Sequence, residues 1–150
     1  MSAPLRRPLV LLLNLAQQGL MRRLNAESVT RFDVTVPQLS ALFQLAREDG
    51  ARLTDLSAAL GLDNAAVTRL SERLERKQLA ERRPCPDDAR TKRLHLLPLG
   101  RERARQGLAV LSEVREPMEK GFTEAELNVV ERFLRQVIAF AEASDRGDPS

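Results

Sequence analysis

Arginines and lysines are the side chains of this sequence best placed to do chemistry. Nine of them, Arg69, Arg73, Arg76, Lys77, Arg82, Arg83, Arg90, Lys92 and Arg93, fall between residues 64 and 93, while the whole chain of 150 residues has a net charge of only +3. A local cationic excess suits an array of phosphates, because guanidinium groups pair with phosphate oxygens and release their counterions. Glu72, Glu75 and Glu81 are interleaved with these cations, so a solvated helix face is the plainer alternative. Catalytic chemistry is poorly supplied. The single histidine, His95, and the single cysteine, Cys85, lie ten residues apart. They are too few for a metal site, and no glycine-rich phosphate loop occurs. The sequence predicts no enzyme, no cofactor and no metal. His95 sits between Leu94 and Leu96 on a strand-like stretch, which places it at the surface, away from the side the leucines share. Cys85, flanked by Pro84 and Pro86 and close to Arg82 and Arg83, is expected to be a simple exposed thiol.

The elements that must position the cations are marked by helix signals. In LTDLSAALGLDNAAVTRL (53–70), Leu56 and Leu60 share a face, and Gly61 supplies a left-handed residue to end that helix. Val67 and Leu70 repeat the apolar spacing in the next helix, which completes a helix-turn-helix. Thr54 and Asp63 are natural N-caps for its two helices. The outward face of the second helix carries Asp63, Asn64, Ala65, Ala66, Thr68, Arg69, Glu72 and Arg73, a polar surface of a size that enters a DNA major groove. Upstream, Thr35-Val36-Pro37-Gln38 is a capping box that opens a helix to about Arg47, burying Leu39, Leu42, Phe43 and Ala46. Downstream, AERR and RLHLL are strand-like and flank PCPDDARTK, whose prolines and aspartates exclude regular structure. The result is a long-looped two-stranded β-hairpin, a wing.

Composition sets the frame around this centre. With 43% apolar and 30% charged residues and only 3% aromatic, the chain reads as one soluble, mainly α domain. A lone cysteine gives no sign of secretion, and a cytoplasmic location is expected. Arg6-Arg7 and the run Leu9 to Leu13 imitate an export signal. However, Asn14, Gln17 and Gln18 interrupt the run, and Leu9, Leu13, Ala16, Leu20 and Leu24 continue at helical spacing. No stretch is long enough for a membrane span. Pro98 and Gly100 open another helix to about Glu116, interrupted at Pro117. Thr123-Glu124-Ala125-Glu126 caps the last helix, whose stripe Leu127, Val130, Leu134, Val137 and Ala141 is widened by Val129, Phe133 and Phe140. So much apolar surface on one helix predicts a second subunit. Residues 144 to 150 read as a disordered tail.

Three helices, a wing and long flanking helices, in that order, resemble the multiple antibiotic resistance regulator (MarR) family of winged-helix transcription factors. The resemblance is carried by TVPQLSALFQL (35–45), LTDLSAALGLDNAAVTRLSERLERKQLAERR (53–83) and DARTKRLHLLPLG (88–100). It implies a winged-helix core at about 35–97 and dimerisation helices at 8–31 and 98–143. The implied function is that of a homodimeric repressor of a pseudo-palindromic operator in double-stranded DNA, released by a small aromatic or anionic effector. It further implies that Asp63, Asn64 and Ala66 sit at base edges, with Ala65 beside them in the DNA-binding surface, and that Thr68, Arg69 and Arg73 reach bases or phosphates. In the wing, Arg90, beside Lys92, is implied to enter the minor groove with Asp88 orienting it. Asn14, Gln17, Gln18, Arg22, Phe32 and Phe43 are candidates for the effector site. The sequence departs from the family at Gln78, where glycine is usual, at Leu97-Pro98, which lacks a capping threonine, and at the bare pair Ala65-Ala66. A winged helix that binds another protein instead of DNA is the rival reading.

Overall fold

The computed structural model describes residues 8–145, with side chains to residue 143. Arg6-Arg7 and most of the expected tail, 146–150, lie outside the described residues. In chain order the elements are α1 (Leu9–Phe32), α2 (Val36–Arg47), β1 (Ala51–Arg52), α3 (Leu53–Leu60) and α4 (Asn64–Arg76). They continue with β2 (Ala80–Pro84), β3 (Lys92–Leu96), α5 (Pro98–Glu119) and α6 (Glu124–Asp145). Ser144 and Asp145 thus close a helix instead of opening a tail. The chain divides after Ser112 into two compact units.

The first unit holds the core. Thr35 Oγ1 accepts from the Gln38 amide and Gln38 Oε1 accepts from the Thr35 amide, so the capping box fixes where α2 begins. From that start α2 buries Leu39, Ala41, Leu42 and Leu45. Phe43 is half-buried, and Ala46, expected inside, is exposed, since the last turn of α2 turns Leu45 inward instead. Val34, Leu42, Leu45, Leu56, Val67, Leu74, Leu79 and Leu94 are each almost fully buried and pack into one cluster from α2, α3, α4 and the sheet. Among the described residues no helix is long and apolar enough to cross a membrane.

The start of α3 differs from expectation. The helix begins at Leu53 with Arg52 in the capping position and no side-chain cap, so Thr54 lies inside the first turn. The reason is β1, a two-residue strand that leads straight into the helix: Ala51 pairs with Leu94 and Arg52 with Arg93. The wing is therefore part of a three-stranded antiparallel sheet in the order β1-β3-β2. Gly61 ends α3 at φ 62°, with open space where a Cβ would be, so the backbone angle alone calls for glycine there. Gln78 adopts the left-handed conformation at φ 56° without being glycine. At the head of α5, a Cβ on Gly100 would stand 2.0 Å from the Leu79 carbonyl oxygen, so this helix rests directly on the backbone entering β2.

The second unit comprises the end of α5 and α6. α5 continues through Pro117 to Glu119. Proline there removes one backbone donor, but only the final turn follows it, so the loss ends the helix within three residues instead of breaking it. Thr123 and Glu126 form the expected box, with Thr123 N–H donating to Glu126 Oε2 at 2.8 Å and Glu126 N–H to Thr123 Oγ1 at 3.3 Å. Val129, Val130, Phe133, Leu134 and Ile138 are all exposed along α6.

Candidate nucleic-acid interface

Asp63 caps α4: its Oδ1 accepts the Ala66 amide at 2.7 Å. One carboxylate oxygen is thereby committed to the helix start, where the dipole favours negative charge. Val67, Leu70, Ser71 and Leu74 anchor the inner face. The outer face presents Asn64, Ala65, Arg69 and Arg73 to solvent, with Ala66 and Thr68 half-buried at its margin. Thr68 does not offer a free hydroxyl, since Oγ1 donates to the Asn64 carbonyl at 2.8 Å. Glu72 and Arg76 flank this face in the open.

The wing tip is a built turn. Asp88 Oδ1 accepts the Arg90 amide at 2.9 Å, Oδ2 accepts the Thr91 hydroxyl at 2.9 Å, and the Thr91 amide donates to the Asp88 carbonyl at 3.0 Å. The bonds from the Arg90 amide and the Thr91 hydroxyl, with help from the charge of Arg52, hold the Asp88 carboxyl below its ordinary range despite some desolvation. Asp88 thus fixes Arg90 through its backbone, and the exposed Arg90 guanidinium has no partner among the described residues. Arg69 and Arg73 are likewise unpaired among them. Lys92, exposed at the start of β3, lends positive charge to Glu75.

Four cations of the basic block behave differently. Arg82 pairs with Glu75, Arg83 with Glu81, and Arg93 is built into the sheet, its NH1 donating to the Gly50 carbonyl at 2.8 Å. Lys77 holds the carbonyl and the carboxylate of Asp33 at the end of α1. Sequence reasoning counted all four as free charge. The partners of Arg82, Arg93 and Lys77 stand on other elements or loops that the charge pattern does not reveal, whereas Arg83 meets Glu81 two residues away on the same strand.

Cys85 corrects an expectation. It is buried, at 4% exposure, and its Sγ accepts from Arg93 Nε at 3.4 Å. That contact leads a set of interactions that push the thiol below its ordinary range. His95 does point to the solvent side of the sheet, but it is half-buried there. Its Nδ1 lies 3.6 Å from Asp49 Oδ2, and its ring covers Gly50, where a Cβ would come within 2.8 Å. Of the six effector candidates, only Phe43 lines a cavity of 220 Å³ in the first unit. Met21, Leu24, Leu39, Gly107 and Val110 share that lining. Among the described residues no three of His, Cys, Asp and Glu are grouped to hold a metal ion.

A helix-turn-helix whose second helix bares cations, followed by a β2–β3 hairpin that joins β1 in a three-stranded sheet, defines a winged-helix protein. The MarR family model matches residues 34–92, the stretch from the entry of α2 to the start of β3. The HTH-type transcriptional regulator YsmB of Bacillus subtilis is 26% identical over 119 residues, covering 79% of this chain and 82% of that one. A mutant MarR from E. coli, solved in complex with operator DNA, is 27% identical with a TM-score of 0.79, over 87% of this chain and 94% of that one. MepR of S. aureus, solved in a DNA complex, shares the fold at 22% identity and a TM-score of 0.79, over 87% of this chain and 95% of that one. The chain is thus similar to MarR-family transcription regulators, through the family match over residues 34–92 and a shared winged-helix fold over most of its length.

Proposed function

We propose that this protein is a homodimeric repressor that binds a pseudo-palindromic operator in duplex DNA in the cytoplasm, placing α4 of each copy in successive major grooves. The observation that carries the reading is the trio Arg69, Arg73 and Arg90: exposed cations on α4 and the wing tip, none with an intramolecular partner among the described residues. Long cations left unpaired beside a bare helix start suit phosphates and groove edges. The MarR of E. coli, similar over most of both chains, was solved with operator DNA. In this reading Asn64 reads a base edge, Asp63, Ala65, Ala66 and Thr68 line the groove, and Asp88 and Lys92 support Arg90 at the minor groove. Transcription is blocked by occupancy of the operator.

Two copies are favoured by the apolar side chains that each unit leaves in water. Val10 is 78% and Leu15 66% exposed on α1, and Ile138 is 57% exposed on α6. The effector we assign to the cavity beside Phe43. Its polar lining is limited to Ser28 and Ser40, with no cation, so a small neutral aromatic molecule fits it better than an anion.

Selection of duplexes from a random pool by the full chain, followed by footprinting and a salt titration, tests the proposal. Expected are two protected half-sites with centres about one helical turn apart, and an affinity that falls steeply with salt. Recovery of no duplex, or salt-insensitive binding, overturns it in favour of a protein-binding winged helix.

A further inference from the structure

Arg82 belongs to the basic block by sequence, yet its surroundings set it apart. Its Nε and NH2 each lie 2.7 Å from Glu75 Oε2, and its backbone N–H donates to Glu75 Oε1 at 2.8 Å, so both carboxylate oxygens are occupied by one residue. Several other arginine–carboxylate pairs join neighbours within a single element. Arg105–Glu102 and Arg135–Glu131, for instance, leave their arginines 73% and 76% exposed. The Glu75–Arg82 pair instead joins α4 to β2, and its side chains are only 28% and 23% exposed. β2 is an edge strand whose outer side faces α4 rather than β3, and Glu75 covers the outward amide of Arg82 there. Burial would raise the Glu75 carboxyl, but the two Arg82 hydrogen bonds and the charges of Arg82 and Lys92 outweigh it and hold it below its ordinary range.

We propose that Glu75 and Arg82 are the positioning pair of the DNA interface, a clasp that locks the wing to the recognition helix so that Arg90 stands at a fixed offset from Asn64. The proposal rests on the DNA-binding reading above. Arg82 then touches no phosphate, although its charge suggests one. Strand pairing alone does not provide this offset. β2 bonds to β3 over five residue pairs, which fixes the hairpin internally but leaves its angle to α4 to contacts across the gap. A partly shielded arginine–carboxylate pair, with two guanidinium contacts on one oxygen and the backbone amide on the other, supplies a directional contact there.

The test is a double-mutant cycle on the duplex recovered by the selection, titrated at several salt concentrations with the full chain. Glu75→Gln and Arg82→Gln are each expected to weaken binding about tenfold in the parent and less than about twofold in an Arg90→Ala background, the coupling expected of groups that act through one another. In the Arg90→Ala background the dependence of log K on log salt is expected to keep its slope when Arg82→Gln is added. A further reduction by about 0.9 in that background identifies Arg82 as a phosphate contact and overturns the proposal. So do equal losses in both backgrounds. If Arg82→Gln proves unfolded by circular dichroism, Arg82→Lys, which keeps the cation and the backbone bond, takes its place in the cycle with the same criteria. Amide exchange at Arg82, measured without DNA, separates this failure from failure of the DNA reading. It is expected to be protected in the parent and to lose protection in Glu75→Ala, which removes the acceptor, and an unchanged rate rejects the clasp whatever the duplex result.

Discussion

Arg90 and Arg82 have the same side chain, eight residues apart, and the fold gives them opposite work. Asp88 holds the backbone of Arg90 and leaves its guanidinium open, whereas Glu75 engages Arg82 at every polar group that faces it. Arg90→Ala should therefore weaken duplex binding across all sequences and reduce the salt slope by about 0.9, as read by titration at several salt concentrations. Asn64→Ala should leave the slope unchanged and relax the preference at one base position per half-site, visible by repeating the duplex selection with the variant. The Glu75 carboxyl also makes a statement about pH. Its folded pKa lies below the ordinary glutamate value, so its contribution to stability is complete above that value and is lost as pH falls through the lowered one. Acid titration of unfolding, from neutral pH to below the usual glutamate range, should show the parent losing stability that Glu75→Gln never had.

The helices were legible because their ends carry side-chain chemistry. Thr35 with Gln38, Asp63, and Thr123 with Glu126 each announce a helix start, and each makes the expected bond. β1 was not legible, since two residues cannot display an alternating pattern, and its presence displaced the cap expected at Thr54. Of the proposed interface, the face of α4 could be read from helical spacing alone. The engagement of Arg82 and Arg93, and the burial of Cys85, depend on which strand residues sit opposite one another across a loop, and nothing in the sequence sets that register. Two stability effects belong to element ends. Asp63→Ala should cost about 1 kcal/mol in denaturant unfolding through loss of the α4 cap. Gln78→Gly should stabilise by roughly 0.5–1 kcal/mol, because glycine meets the left-handed angle without a Cβ clash.

For the molecule as a whole, the two compact units each present apolar surface that a single chain leaves in water. Ile138→Glu on α6 should shift sedimentation toward the monomer and, with the winged-helix unit intact, reduce binding to a two-half-site duplex far more than to a single half-site. Comparable losses on both duplexes would point away from a dimeric reader.

The outer edge of β2 has one further consequence. The backbone donors on that side fall at every second residue, so after Arg82 the next position is Pro84, which has no N–H at all, while the Arg82 amide is already bonded to Glu75. A neighbouring chain seeking to add a strand to this hairpin finds those two donor positions closed. With α4 beside it and these two positions closed, the edge strand is guarded against edge-to-edge pairing.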